Sequence, residues 1–285
     1  MFDTHAHLQF SAFEGSVKEI LERAHKAGVS QIIIPSTDVP TSKKAIEIAS
    51  KFEHVFAAVG IHPHHIYQMV INKNIELKAQ LQEIESLIEN NKQSFSTNNV
   101  VAVGEVGMDY HYYKKTKYEN YHVIDEFIEL QKKALSAQMQ FAIKHKKSLL
   151  LHNREAIDDF LEVLTDNWDK SLEGKTVFHC CEANERLLTF AIEHDVFIGV
   201  DGDVTYNKEK QEFVKKIPLD LLVLETDSPF LIPEPLRSQK IFPNQPSNLK
   251  IILEFLSTLL TIDSKELNKI TTKNSRKLFR IQNSP

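Results

Sequence analysis

Cysteine is nearly absent from the sequence: only Cys180 and Cys181 occur, side by side. Adjacent cysteines rarely close an unstrained disulfide, so a disulfide scaffold is excluded and both thiols are expected to be reduced, as in the cytoplasm. Glycine is scarce too, with eight residues and none arranged as GxGxxG or GxxxxGK[ST]. That removes the two glycine-rich phosphate cradles of dinucleotide-binding sheets and P-loop enzymes. No apolar run approaches the ~20 residues that span a bilayer, and no opening segment has the parts of an export signal. A membrane partner is therefore not expected. A basic excess is also missing. The formal net charge of -5 is a poor match to a protein that grips nucleic acid by bulk electrostatics. It leaves room for an enzyme that takes a phosphate chain into a metal site, because metals supply local positive charge.

What the sequence does contain is regular alternation. Its 285 residues suit a single α/β barrel, which typically needs about 250. Short β-rich runs fall at 1–5, 31–35, 55–60, 100–105, 148–152, 176–179, 196–200 and 221–225. Between them, apolar residues recur at three- and four-residue spacing over 17–27, 77–88, 123–144, 156–164 and 185–194. Several strands, such as Gln31-Ile-Ile-Ile-Pro35, are apolar throughout, as strands buried on both faces of a parallel sheet are. Eight strand–helix units predict an α/β chain folded as a single (β/α)8 TIM barrel over 1–285, with extra C-terminal helices at 249–260 and 265–279 and a tail at 282–285. An open doubly wound sheet is the competing architecture, and the missing glycine loop argues against it.

In such barrels the active site lies where strands end and βα loops begin. Six residues with metal-ligating side chains stand there: His5 and His7 after the first strand, Glu105 after the fourth, His152 after the fifth, His179 after the sixth and Asp227 after the eighth. Residues i and i+2 of a strand share a face, so His5 and His7 both point to the barrel axis. Four imidazoles and two carboxylates suit two divalent cations sharing a bridging carboxylate. Each residue alone has an ordinary explanation: a hydrogen-bonded surface pair, a loop carboxylate, a half-buried histidine, a helix cap. Six together on one mouth do not.

The same residues carry a resemblance. Phe2-Asp-Thr-His-Ala-His7-Leu, Val59-Gly-Ile-His-Pro-His64, Val103-Gly-Glu-Val-Gly-Met-Asp109-Tyr, Leu151-His-Asn-Arg154, Phe178-His179-Cys and Leu224-Glu-Thr-Asp-Ser-Pro229 resemble the TatD family of metal-dependent deoxyribonucleases, in family order and over nearly the whole chain. The resemblance implies a TIM barrel in the amidohydrolase-like superfamily with two divalent ions, Mg, Mn or Zn. His5, His7, Glu105 and Asp227 would hold one ion, and Glu105, His152 and His179 the other. It implies hydrolysis of DNA phosphodiesters as a 3′-5′ exonuclease, with Asp227 also serving as general base.

By the same resemblance His62 and His64, in the loop after the third strand, face the substrate; otherwise Pro63 merely shapes a turn between solvated histidines. Arg154 either clamps a phosphate oxygen or pairs with a helix carboxylate such as Asp158. Tyrosines and lysines over 110–117 either stack on bases and follow a backbone or form a solvated loop. Three places depart from the family pattern: Cys180-Cys-Glu-Ala-Asn184 after His179, Asn244-Gln-Pro246 where Asn-Glu-Pro is common, and two acidic residues in Ile198-Gly-Val-Asp-Gly-Asp203. They put substrate identity in question more than hydrolysis. A hydrolase of small esters, lactones or amides on the same barrel is the alternative, and a metal-stabilised binding scaffold is a third reading. A monomer is the expected state.

Overall fold

A computed structural model describes residues 1–92 and 99–281. The tail read at 282–285 lies outside the described residues. Eight strands form one parallel sheet whose spatial order is the chain order. They are β1 (Phe2–Asp3), β2 (Gln31–Ile34), β3 (Val55–Val59), β4 (Val100–Asp109), β5 (Ser148–Arg154), β6 (Thr176–Phe178), β7 (Phe197–Val200) and β8 (Leu222–Leu224). The last strand returns to the first through backbone hydrogen bonds. Thr4 N–H donates to Leu224 O at 3.1 Å, Asp227 N–H to His5 O at 2.9 Å and His7 N–H to Ser228 O at 2.7 Å. The fold is the expected (β/α)8 TIM barrel.

Helices cover the outside: α1 (Val17–Lys26), α2 (Val39–Lys51), α3 (Pro63–Ile71), α4 (Leu77–Lys92), α5 (Asp125–His145), α6 (Ile157–Asn167), α7 (Glu185–Glu193), α8 (Lys208–Val214), α9 (Leu249–Leu260) and α10 (Ser264–Phe279). Among the described residues no helix is long and apolar enough to cross a membrane. Three of these helices escape the apolar periodicity. The buried stripe of α2 is Val39, Ser42, Ala45, Ile48 and Ala49, whose small members carry little hydrophobic signal. The helix α8 spans only seven residues. The helix α3 opens at Pro63, so the segment read as a loop turns helical directly after β3. Proline at the first helical position loses no hydrogen bond and already has a helical φ. His62 caps this helix, its Nδ1 accepting from His64 N–H at 3.1 Å.

The barrel interior explains why chemistry is confined to one end. Phe2, Ile33, Ala58, Ala102, Leu150, Val177, Phe197 and Val223, one from each strand, pack around the axis with Leu278 and Phe279 of α10. Phe279 stacks on Phe2 at 5.8 Å between ring centroids, at the start of β1. The C-terminal helix thus plugs the end where strands begin, and the opposite end is left to polar side chains.

Candidate metal centre

At the open end the chain bends after Asp3, Ala6 is bridged to Ser228, and His5 and His7 are brought side by side. Asp3 secures this edge: its carboxylate accepts from Thr226 N–H at 3.0 Å and Thr226 Oγ1–H at 2.7 Å. The strand β4 is longer than its apolar run, continuing through Glu105 to Asp109. Gly107 permits this, because a Cβ there would lie 1.8 Å from the backbone oxygen of His152 on β5. Asp227 adopts φ 50°, in the left-handed region that aspartate tolerates better than most residues.

These elements bring all six residues together. Glu105 stands at the middle with its two oxygens facing different partners. Oε2 lies 3.3 Å from His5 Nε2 and 3.6 Å from His7 Nε2. Oε1 lies 2.8 Å from His152 Nδ1 and 3.6 Å from His179 Nε2. Asp227 Oδ1 closes the first group at 3.7 Å from His5 Nε2 and 3.5 Å from His7 Nε2.

The far nitrogen of each ring tells which one carries the proton. His7 Nδ1 is 3.2 Å from Pro35 O, an atom that can only accept, so Nε2 is left with a bare lone pair toward Glu105 and Asp227. Behind His179, Glu225 Oε1 approaches Nδ1 at 2.9 Å; behind His152, Asp109 Oδ2 approaches Nε2 at 3.3 Å. Both are close contacts off the line of a good hydrogen bond. They still favour the proton on the outer nitrogen and aim a lone pair inward. In the neutral rings it is therefore lone pairs that face the carboxylate oxygens, and His5 Nε2 lies only 3.2 Å from His7 Nε2.

Electrostatics leads the same way. Burial would raise Glu105, but the rings of His62, His5 and His179 hold its carboxyl well below the usual range. Burial opposes charge on His179 and His152, yet Glu225 and Glu105 push His179 up to about 10, and Asp109 and Glu105 push His152 up to about 9. His5, buried beside His179, is held down to about 4. The buried carboxylates draw protons onto the neighbouring rings. A divalent ion among these donors would take the place of those protons. The donor set fits one.

Around the centre opens a cavity of about 1070 Å³, bordered by His62, His64, Arg154, Tyr113, Phe10 and Phe230 among others. Nearly all of the chain, residues 2–280, matches the family model described as TatD related DNase. The chain belongs to the TatD-related DNase family. It is a metal-dependent hydrolase acting on ester bonds. Among its relatives, an uncharacterized metal-dependent hydrolase, YabD of Bacillus subtilis, is 31% identical over 99% of both chains. The 3'-5' ssDNA/RNA exonuclease TatD of Salmonella typhimurium is 28% identical, again over 99% of each. The crystal structure of YJJV, a TatD homologue from Escherichia coli, superposes with a TM-score of 0.82 at 25% identity, covering 99% of this chain and 98% of that one.

The remaining TatD-like positions differ in kind from the six donors. His62 Nε2 lies 3.4 Å from Glu105 Oε1, but its Nδ1 already accepts from His64 N–H, so Nε2 carries a proton and presents a donor. His64 borders the cavity while its Nε2 meets Thr116 Oγ1 at 2.8 Å and its ring packs among Tyr113, Tyr118 and Tyr121. Arg154 donates to Tyr113 Oη at 3.1 Å; Asp158, its alternative partner, binds Arg186 instead at 2.5 Å. The tyrosine-rich segment is tethered, Tyr110 to Asp159 at 2.6 Å and Tyr113 to Asp109 at 2.7 Å. Tyr112 is exposed. Cys180 and Cys181 are both free. Asp109 and Glu225 go unassigned in the sequence reading, although Asp109 lies on β4 with Glu105 and Glu225 stands two residues before Asp227.

Proposed function

We propose that this protein hydrolyses phosphodiester bonds of DNA, removing nucleotides from a 3′ end with two divalent ions, Mg²⁺, Mn²⁺ or Zn²⁺, in its centre. The observation that carries the reading is the division of Glu105, with Oε2 toward His5 and His7 and Oε1 toward His152 and His179. By the family's pattern His5, His7, Glu105 and Asp227 would hold one ion, and Glu105, His152 and His179 the other. When bound, such a pair acidifies water and offsets negative charge on the attacked phosphate and the leaving oxygen. The curated relatives named 3'-5' ssDNA/RNA exonuclease support the substrate class and the polarity.

The chain's own groups do the rest. Asp227 is the proton carrier: the carboxylate oxygen farther from His5 and His7 accepts a proton from the attacking water and delivers it to the leaving sugar oxygen. Its side chain is 13% exposed against 4% for Glu105, and it lines the cavity. Arg154 binds a phosphate oxygen. Among the described residues no carboxylate lies within 4.0 Å of its guanidinium, and Tyr113 steadies it through a hydrogen bond and a ring 5.3 Å away. His62 presents its Nε2–H beside Glu105 to a second phosphate oxygen, and His64 fixes that tautomer through its backbone N–H.

The test is digestion of a 3′-labelled single-stranded DNA oligonucleotide with Mg²⁺, with Mn²⁺ and with EDTA, beside Glu105→Ala. Shortening that requires metal and Glu105 is the expected outcome. No shortening with either metal, while elemental analysis still finds metal bound, would replace this reading with a hydrolase of small esters or lactones.

A further inference from the structure

By strand order the edge formed by β1 and β8 lies opposite β4 and β5, which carry Glu105 and Arg154. On that edge the cavity wall is aromatic. Phe10 lies flat against His7, with ring centroids 4.5 Å apart and planes 8° from parallel. Phe230 stands at 67° to both rings, 6.1 Å from Phe10 and 6.3 Å from His7. Both residues line the cavity.

Phe230 is 47% exposed although it follows the buried stretch that carries Asp227. Its backbone N–H donates to Asp227 O at 2.8 Å, so the main chain that carries the ring is tied to the segment of Asp227. A phenylalanine carried in this way, half in water and at the edge of a charged centre, is a surface waiting for an apolar face. The phenyl rings carry no hydrogen-bonding group, so whatever docks against them is held by its π-face and its area.

We propose that Phe10 and Phe230 form a stacking corner for the terminal base of a single-stranded nucleic acid. This rests on the nuclease reading and specifies how that site holds its substrate. A nucleotide is a flat apolar ring joined through a sugar to a phosphate. The site offers the same sequence of surfaces: a ring corner in contact with His7, then the Glu105–Asp227 centre, then the Arg154 cation. With the phosphate at the centre, the terminal base falls on the Phe230 side and the chain leaves toward Arg154. Stacking of this type tolerates every base, because every base has a π-face. It excludes a paired end, since the corner takes one base stripped of its partner. Purines, with more area to stack, are released faster than pyrimidines.

The test compares two oligonucleotides that differ only in the last residue, one ending in deoxyadenosine and one in an abasic tetrahydrofuran unit. The Mn²⁺-loaded wild type, Phe230→Ala and Phe230→Trp are each assayed on both, and the ratio of kcat/KM values is read. The wild type is expected to favour the base-bearing end by at least about fivefold, the lower bound for stacking one base. In Phe230→Ala the ratio collapses toward one, and in Phe230→Trp it returns. Equal cleavage of both ends by the wild type overturns the corner and leaves the nuclease reading standing. An undiminished ratio in Phe230→Ala overturns the assignment to Phe230. Cleavage of neither end sinks the nuclease reading, and the corner falls with it.

Discussion

Glu225 Oε1 sits 2.9 Å from His179 Nδ1, on the far side of the imidazole from Glu105. The carboxylate is itself held, because Cys180 N–H donates to the same oxygen at 2.6 Å. Room for it comes from Gly199 on β7, where a Cβ would lie 2.6 Å from both Glu225 oxygens. Three strands thus cooperate to orient one ring. A carboxylate behind a metal-binding histidine fixes its tautomer and makes the inner nitrogen a better donor.

Replacing that charge while keeping its shape isolates the effect. Glu225→Gln is expected to weaken divalent-metal affinity by roughly tenfold to a hundredfold. Competition with a fluorescent chelator would measure it. Affinity equal to that of the wild type would mean that the contact does not orient His179.

Arg154 has its Tyr113 contacts and, among the described residues, no carboxylate within 4.0 Å. A guanidinium placed in this way is free to accept a phosphate. Removing it takes away a charge-assisted hydrogen bond, so Arg154→Ala should lower kcat/KM on DNA by about tenfold to a hundredfold. Its metal content, read by elemental analysis, should match the wild type. A loss of metal would instead make Arg154 part of the centre's scaffold.

The acidic residues after β7 give a prediction about pH. Asp203 is partly buried near Asp201, with Lys210 Nζ at 3.6 Å, and desolvation followed by the Asp201 charge pushes its carboxyl up to about 8. The unfolded value is about 3.9. Between those limits the folded state holds a proton that the unfolded state has lost, so folding takes up a proton and stability falls as pH rises. Below about pH 3.9 both states are protonated and the penalty vanishes. Asp203→Asn removes this penalty. Its urea midpoint in EDTA should gain on the wild type steadily from pH 5 to pH 8. Parallel curves for the two proteins across that range would contradict it.

How much of this was legible beforehand varies by element. Strands β2 and β8 announce themselves because chains buried on both faces are apolar throughout. The helix α2 does not, since its buried face is built partly from serine and alanine. Proline between His62 and His64 reads as a turn. What decides for the helix is the packing of Ile66, Tyr67 and Met69 into the core, contacts that no local pattern contains. The end of β4 was missed for a similar reason. Glu105, Gly107 and Asp109 look like the onset of a loop until β5 is laid beside them.

Sequence by itself determined the donor chemistry and its address. Histidines and carboxylates placed at strand ends must meet when parallel strands close into a barrel, because each strand delivers its last residues to one rim. Only the tertiary structure decided which atoms face which. The division of the Glu105 oxygens, the carboxylates behind His152 and His179 and the tilted pair of Phe10 and Phe230 all join residues from separate strands or loops. Such relations depend on ring rotation and on gaps of a few tenths of an ångström. Those are set by packing across the barrel, and residue type and spacing do not encode them.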